Sequence, residues 1–252
     1  MRKPLLSIAV LCLVTTLAVA QNAAPDSVCE IHVNKVKPGM TTQYEQGRAK
    51  HMAWHKAQND SWSWATWEIT TGKDTGDYLI SSCGHAWKDF DGREKFNVAD
   101  GENANATMGA SMAGQTMSYY VLRSEMSAKP GPLPAYLSVI YFQLKPEGFN
   151  DFINGAKQVN EAFAKTNTPR STSYWYTLAN GGSGPEVVLV QERKSIGEMA
   201  GTTTKTLDEL MKEAYGDEGS TNLMTLRKAY YRTESQLLHY RPDLSYMAPA
   251  TK

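Results

Sequence analysis

The chain repeats itself at an offset of 109 residues, and this repeat constrains the fold more than any other feature of the sequence. Three glycine pairs follow the offset, namely Gly39 with Gly148, Gly72 with Gly181, and Gly92 with Gly201. The tripeptide RSE at 123–125 recurs as RTE at 232–234. Upstream, VKP at 36–38 aligns with LKP at 144–146 at an offset of 108, which indicates one inserted residue. A repeat of this length predicts two copies of one structural module.

Each copy contains the same order of predicted elements. Alternating or β-branched segments predict strands at 28–36, 62–70, 77–84 and 119–126 in the first copy, and at 136–144, 172–179, 185–193 and 228–235 in the second. Apolar residues at helical spacing predict a first helix at 42–58 and at 149–165. Thr42 and Glu45 have the spacing of a capping box at the start of that helix. The second helix is clearest at 207–215 and weakest in the Gly-, Asn- and Ala-rich segment 101–115.

The order β-α-β-β-α-β, present twice, is that of ferredoxin-like modules, in which two helices cover one face of an antiparallel sheet. We therefore predict an α+β chain with module 1 at 28–127, module 2 at 136–240 and a C-terminal tail at 241–252. The open face of each sheet needs a partner, and the sheet of the other module can provide it. Two modules in one chain can complete such a barrel without an oligomer.

This arrangement resembles the dimeric α/β-barrel superfamily. Its members include small monooxygenases of the antibiotic-biosynthesis type, NIPSNAP-like proteins and the haem-binding chlorite dismutases. The resemblance rests on element order and duplication over about residues 28–235, and no catalytic motif of the superfamily can be matched to particular residues. It implies a pseudo-dimeric barrel that holds a small molecule.

The first twenty residues have the pattern of a secretory signal peptide. Arg2 and Lys3 precede an apolar stretch at 5–17, and Ala18-Val19-Ala20 forms a small-x-small cleavage site. A lipid anchor at Cys12 is the alternative, but Leu11 stands where a small residue is expected. The pattern predicts a secreted or periplasmic protein cleaved near Ala20, with no membrane insertion.

The charge balance and the missing motifs exclude several classes of function. The chain has 26 basic and 26 acidic residues, so bulk charge attracts neither nucleic acid nor an anionic membrane. We find no nucleophile elbow, Walker loop, dinucleotide-binding fingerprint or CxxC pair in the sequence.

Cys29 and Cys83 remain after cleavage of the signal peptide, and in an exported protein they could form a disulfide. In this topology we expect strands 1 and 3 to be adjacent and parallel, with Cys29 at the start of one and Cys83 near the end of the other. That stagger exceeds the roughly 7 Å that a disulfide spans. The expectation is therefore two buried thiols, with the disulfide left open as the alternative.

Strand alternation assigns one face of each sheet to the helices and the other to the barrel interior. We assign to the helices the face that is apolar in both modules, with Ala65, Trp67 and Ile69 aligned to Tyr174, Tyr176 and Leu178. The residues then predicted to line a ligand cavity are Glu30, His32, Asn34, Trp62, Trp64, Glu68 and Trp175. Aromatic walls with a few convergent polar groups are common in ligand pockets, although ordinary packing between sheets remains an alternative.

Four of the five histidines lie in module 1, which favours a site on that side. His32 is the candidate acid–base catalyst because it would lie near two glutamates in an enclosed cavity. His51 and His55 share a helix face and could bind a metal, but HMAWH lacks the glutamate of HExxH. We expect them to be a solvated or partly packed pair, with no metal site, and His85 to lie near a turn.

These patterns together favour an exported protein that binds a small apolar or aromatic molecule in a barrel cavity. The enzymatic version of this prediction is a monooxygenase-like activity without a cofactor. A haem- or metal-binding barrel is one alternative, and a non-catalytic structural or interaction module is another. The sequence does not specify a cofactor.

Overall fold

A computed structural model describes residues 27–129, 131–201 and 204–249. The predicted signal peptide and Cys12 lie outside these residues. The first half contains β1 (Val28–Val36), α1 (Thr41–Ala57), β2 (Ala65–Ile69), β3 (Tyr78–His85), α2 (Lys88–Asp91), α3 (Glu94–Met108) and β4 (Met112–Leu122). The second half contains β5 (Tyr136–Leu144), α4 (Phe149–Lys165), β6 (Ser173–Asn180), β7 (Glu186–Arg193), α5 (Leu207–Tyr215), α6 (Asp217–Ala229) and β8 (Tyr230–Tyr240).

The eight strands form one antiparallel sheet that closes on itself as a barrel in the order β1-β3-β2-β8-β5-β7-β6-β4. Each half contributes four neighbouring strands, with β4-β1-β3-β2 in one and β8-β5-β7-β6 in the other. The halves join at their edges, where β2 pairs with β8 and β4 pairs with β6. The two four-stranded sheets are therefore parts of one hydrogen-bonded surface.

The helices cover the outside of this barrel, and apolar side chains pack on both sides of the sheet. One outer cluster, between the first-half strands and α1, includes Tyr44, Met52 and Met108. A second, against α4 and α6, includes Phe152, Ile153 and Leu226. A third cluster lies inside the barrel. In the described part of the chain, no helix has the length and apolar character needed to cross a membrane.

The segment predicted as a C-terminal tail is packed against the first half over residues 241–249. A short 3-10 helix at Pro242–Leu244 buries Leu244, and Tyr246 forms a β-bridge with Trp64. The Tyr246 hydroxyl donates a hydrogen bond of 2.8 Å to the carbonyl of Asp60. Residues 241–249 therefore cover part of the helix-side surface of the first half.

The start of α1 differs from the sequence prediction. The N-cap residue is Met40, without a side-chain capping hydrogen bond, so the predicted capping box of Thr42 and Glu45 is wrong. Glu45 instead accepts hydrogen bonds from Tyr78 and Arg241, because the helix lies against β3 and the C-terminal segment. A capping box does occur at α5, between Thr206 and Glu209.

The repeated Arg-Ser/Thr-Glu tripeptide does not mark equivalent positions. Cys29 pairs with Tyr120 in the first half and Leu137 pairs with Leu238 in the second, so Tyr120 and Leu238 are equivalent. The sequence RSE at 123–125 therefore follows β4, whereas RTE at 232–234 lies inside β8. The helical segment before β8, with α5 and α6, is longer than the segment with α3 before β4, so equal offsets in sequence no longer give equal positions in the strand. Within each tripeptide, Arg and Glu still form an ion pair.

The expected separation of the two cysteines is wrong. β1 and β3 are antiparallel, and Cys29 lies directly opposite Cys83. Their Cα atoms are 4.0 Å apart and their sulfurs form a disulfide. The error came from the assumed strand direction, since β3 lies between β1 and β2 and is antiparallel to both. The disulfide ties together the two central strands of the first half.

We expect the disulfide to stabilise the protein by about 2–4 kcal/mol, because it closes a long loop in the unfolded chain. The double variant Cys29→Ser/Cys83→Ser should unfold at a lower urea concentration than the oxidised wild type. Reductant should lower the midpoint of the wild type and leave the double variant unchanged. Peptide mapping without reduction should recover the two cysteines in one linked fragment. Separate, alkylatable peptides would contradict the assignment.

Candidate functional site

The barrel encloses a cavity of about 520 Å³, and this cavity is the candidate functional site. Its wall is made of alternate residues from all eight strands. β1 contributes Cys29, Ile31 and Val33, β3 contributes Leu79, Ser81 and Cys83, β5 contributes Leu137, Val139, Tyr141 and Gln143, and β7 contributes Glu186, Val188, Val190 and Glu192. The volume lies in the range that small-molecule sites occupy, roughly 300–1,000 Å³.

The middle of the wall is apolar and aromatic. Trp67 is 2% exposed, and its indole nitrogen donates a hydrogen bond of 3.2 Å to Ser81 Oγ. Tyr120, Tyr141 and Tyr176 also line the cavity. Burial raises the pKa of Tyr176 to about 12 and raises the pKa of the other two tyrosines as well. The three phenols therefore remain protonated at neutral pH and can donate hydrogen bonds.

A carboxyl group is built into this wall. Glu186 Oε1 accepts a hydrogen bond of 2.7 Å from the hydroxyl of Tyr120, and Oε2 accepts one from the side-chain amide of Gln143. Burial raises the pKa of Glu186 and outweighs these two bonds, and the nearby carboxylate of Glu234 adds to the rise. Glu186 is thus a carboxyl group with a raised pKa in the cavity wall, and the Lys73 ammonium partly opposes the rise.

The two ends of the cavity differ in character. At the end near the β2–β3 turn, Lys73 forms an ion pair of 2.7 Å with Glu234, and Gln236 donates to Asp74 at 3.0 Å. The other end is bordered by the cysteines, by Gly84 and by the linker residues 131–134 between the halves. The linker is therefore part of the wall as well as a connection.

The sequence assigned the two faces of the sheet the wrong way round. Trp67 and Tyr176 line the cavity, whereas the residues predicted to line it lie on the opposite, helix-covered face. The assignment relied on polarity, with the apolar face given to the helices. Both faces are buried in this fold, so polarity cannot distinguish them. Here the more polar face packs on the helices, where Asn34 and Trp64 have hydrogen-bond partners.

Most of the predicted cavity residues form contacts on the outer face of the first half. His32 Nε2 lies 2.6 Å from Glu30 Oε1, and Asn34 donates a hydrogen bond of 2.9 Å to the hydroxyl of Tyr44 on α1. Glu68 accepts a hydrogen bond of 3.3 Å from Arg241 in the C-terminal segment. None of them faces the 520 Å³ cavity, and a catalytic role of His32 stays a prediction.

The three predicted tryptophans are buried in the outer clusters. Trp62 stacks on His85 with the ring centroids 3.6 Å apart, and the guanidinium of Arg93 lies over its ring. Trp64 donates a hydrogen bond of 2.9 Å to Asp60. Trp175 packs in the second-half cluster on α4. His85 lies at the end of β3 and is buried, which lowers its pKa.

His51 and His55 are 3% and 1% exposed, so the expectation of a solvated pair is wrong and that of a packed pair is correct. Both face a carboxylate of α3, and His55 also faces Asp60. Gly47 allows this approach, because a Cβ there would overlap the carbonyl oxygen of Thr107 on α3. The corresponding helix of the second half, α4, buries mainly Phe, Ile and Ala instead.

Sequence reasoning missed the cavity residues Tyr120, Tyr141 and Glu186. The alternation that would have identified them is present, since Leu137, Val139 and Tyr141 occupy one face of β5. It was not decisive, because Ile140 and Phe142 on the opposite face are also apolar. Glu186 lies at the start of β7, where a sequence pattern does not separate a turn residue from a cavity residue.

Solved structures show that this fold occurs in other proteins. A crystal structure of an anthrone oxidase-like protein matches with a TM-score of 0.53 at 12% identity and covers 86% of this chain and 92% of its own. A suggested monooxygenase from Lactobacillus acidophilus NCFM matches with 0.54 at 10%, covering 88% and 97%. A suggested chlorite dismutase matches with 0.50 at 14%, covering 86% and 96%. No family model and no curated protein matches the sequence. At these identities the likeness establishes the fold alone.

Glu186→Gln should stabilise the protein more at high pH than at low pH. The folded state raises the pKa of Glu186, so its contribution is favourable below the ordinary glutamate pKa and is lost as pH rises through the raised value. The variant removes that loss. We expect its melting temperature to exceed that of the wild type by about 2–4 °C at pH 8, with a smaller difference at pH 4. The exposed substitution Glu147→Gln is the control. Equal differences at both pH values would contradict the assignment.

Proposed function

We propose that this protein binds a flat, largely apolar aromatic molecule inside the barrel, with a hydroxyl or carbonyl group of the ligand near Tyr120 and Glu186. The cavity carries the proposal. Aliphatic side chains and Trp67 can pack on the ring system, and hydrogen-bonding groups such as Tyr120 and Glu186 also lie in the wall.

The arrangement also supports an enzymatic version, which is oxygen-dependent oxidation of the bound molecule without a cofactor. Glu186 can accept a proton from an acidic C–H or O–H group of the ligand, which leaves an electron-rich anion. Molecular oxygen is then the oxidant. For a ring methylene, one oxygen atom becomes the carbonyl oxygen and the other leaves as water with the two hydrogens. The anthrone oxidase-like and suggested monooxygenase structures with the same fold are consistent with this chemistry.

The haem alternative receives less support from the cavity. Among the described residues that line it there is no histidine or methionine, and its two cysteines are joined as a disulfide. An axial ligand would have to be a tyrosine. We therefore prefer an organic ligand in the cavity.

We further propose that the chain is a tandem duplication whose halves form a pseudo-dimeric barrel, and that it is exported. The same strand order in both halves supports the duplication. The signal-peptide pattern and the disulfide support export to an oxidising compartment. One chain then provides both halves of the cavity wall.

A bulky substitution in the cavity should abolish binding. Val190 lines the cavity, whereas Val98 on α3 is 64% exposed, so Val190→Trp and Val98→Trp form a matched pair. We expect Val190→Trp to weaken binding of 1,8-dihydroxyanthraquinone by at least about tenfold, and Val98→Trp to leave it unchanged. Equilibrium dialysis gives the affinities, and circular dichroism checks that both variants fold. Equal binding by the two variants would place the ligand outside the barrel.

The enzymatic version has its own readout. Anthrone under air should be converted to anthraquinone with consumption of one O₂ per product. Glu186→Gln should slow this turnover at saturating anthrone, where weaker binding of the substrate no longer affects the rate. Binding without turnover would leave the protein a carrier and reject the oxidation.

A further inference from the structure

The helix-side surface of module 1 contains three ligand-type atoms at nearly equal distances. Nε2 of His51 and Nε2 of His55 are 3.2 Å apart, and Oδ1 of Asp100 lies 3.1 Å from each of them. His51 and His55 are one turn apart on α1, and Asp100 faces them from α3. The cluster lies outside the barrel, and none of its three residues lines the cavity.

The hydrogen bonds at the other ring nitrogens determine which atoms carry lone pairs. His51 Nδ1 donates to Oδ1 of Asn103 at 2.8 Å, and His55 Nδ1 donates to Oδ2 of Asp60 at 2.9 Å. In a neutral imidazole the opposite nitrogen is then an acceptor. Both Nε2 lone pairs therefore point at each other and at a carboxylate oxygen.

Three converging acceptors repel one another unless a cation lies among them. A proton on Nε2 of His55 can be donated to His51 Nε2 or to Asp100 Oδ1, and the remaining two acceptors still face each other. Oδ1 of Asp100 is buried and has no satisfactory hydrogen-bond donor. Such an unsatisfied atom is unusual in a folded protein and indicates a missing partner.

The geometry of the triangle suits a metal ion. With bonds of about 2.0–2.1 Å to nitrogen and oxygen, edges of this length correspond to ligand–metal–ligand angles of about 100°. This value lies between octahedral and tetrahedral coordination. The ion would sit about 1 Å off the plane of the three atoms. The Asp100 side chain is 23% exposed, which leaves a route for water as a further ligand.

The surroundings hold the ligands as an outer coordination shell does. Asp60 orients His55 and is fixed by both guanidinium nitrogens of Arg93, at 2.8 and 3.2 Å, and by Trp64 at 2.9 Å. Histidine ligands of metals usually donate their second nitrogen to a carboxylate or another oxygen, as both do here. Arg48, one turn earlier, donates instead to Thr66 and to the carbonyl of Leu244.

We propose that His51, His55 and Asp100 bind a divalent transition-metal ion, with Asp60 and Asn103 as the supporting outer residues. Two imidazoles and one carboxylate favour Zn²⁺ or a similar ion over Ca²⁺ or Mg²⁺, which prefer oxygen ligands. The site joins α1 to α3, and through Asp60 it is connected to the loop before β2. Its second-half counterpart carries no such histidine pair.

The first measurement is calorimetric titration of the untagged, chelator-treated protein with Zn²⁺. We expect one equivalent to bind and the melting temperature to rise with Zn²⁺ concentration. His51→Gln and Asp100→Asn each remove a ligand, and Asn103→Ala removes an outer partner. Asn103→Ala should weaken binding by roughly 10–100-fold, and the two ligand variants should weaken it further. His239→Gln, a histidine that stacks on Tyr136 away from the cluster, should bind as the wild type does.

Two results would overturn the proposal. One is the absence of binding for Zn²⁺, Co²⁺ and Mn²⁺ alike, which would leave a protonated His55 between two aspartates as the explanation of the cluster. The other is unchanged binding in the Asp100→Asn variant, which would place the ion elsewhere. Near-ultraviolet circular dichroism checks the fold of each variant. If His51→Gln does not fold, Asp100→Asn and Asn103→Ala still test the site.

Discussion

The pairing of β2 with β8 and of β4 with β6 is the interaction on which the rest of the structure depends. A four-stranded sheet by itself has two open edges, and unpaired backbone groups at such edges invite further association. Here each half supplies the partner of the other's edge strands, so the ring of hydrogen bonds closes. Closure also makes a cavity, because eight twisted strands leave an interior that side chains do not fill completely.

Closure means that both faces of every strand are buried, one under helices and one inside the barrel. The apolar character of a strand face therefore does not show whether that face lies inside the barrel or under the helices. Polar groups are tolerated on the helix side where they find partners, as Asn34 does with Tyr44. On the inner side, Glu186 is tolerated through Tyr120 and Gln143, at the cost of a raised pKa. The two polar systems lie on opposite faces of the same sheet.

The halves share a strand order but bury different side chains under their first helices. In the first half, α1 presents Arg48, His51 and His55 to the sheet and to α3, and the C-terminal segment covers them. In the second half, α4 packs through Phe152, Ile153 and Ala156. A shared barrel in one chain permits this asymmetry, because one half can keep an apolar core while the other acquires polar groups. The proposed metal ion and the proposed aromatic ligand would thus occupy independent places.

The sequence by itself determined the element order and most element positions, since hydrophobic periodicity and glycine turns are local signals. β5 at 136–144 and α4 at 149–165 follow directly from such patterns. It could not determine the direction of β3 relative to β1. That direction decides whether Cys29 and Cys83 form a disulfide or remain two distant thiols. It could not determine which face of β2 is inside, since both faces are buried and the more polar one, with Thr66, is the face under the helices. Only the tertiary structure brought Asp100 to His51 and His55, and Glu186 to Tyr120, because those contacts join elements far apart in the chain.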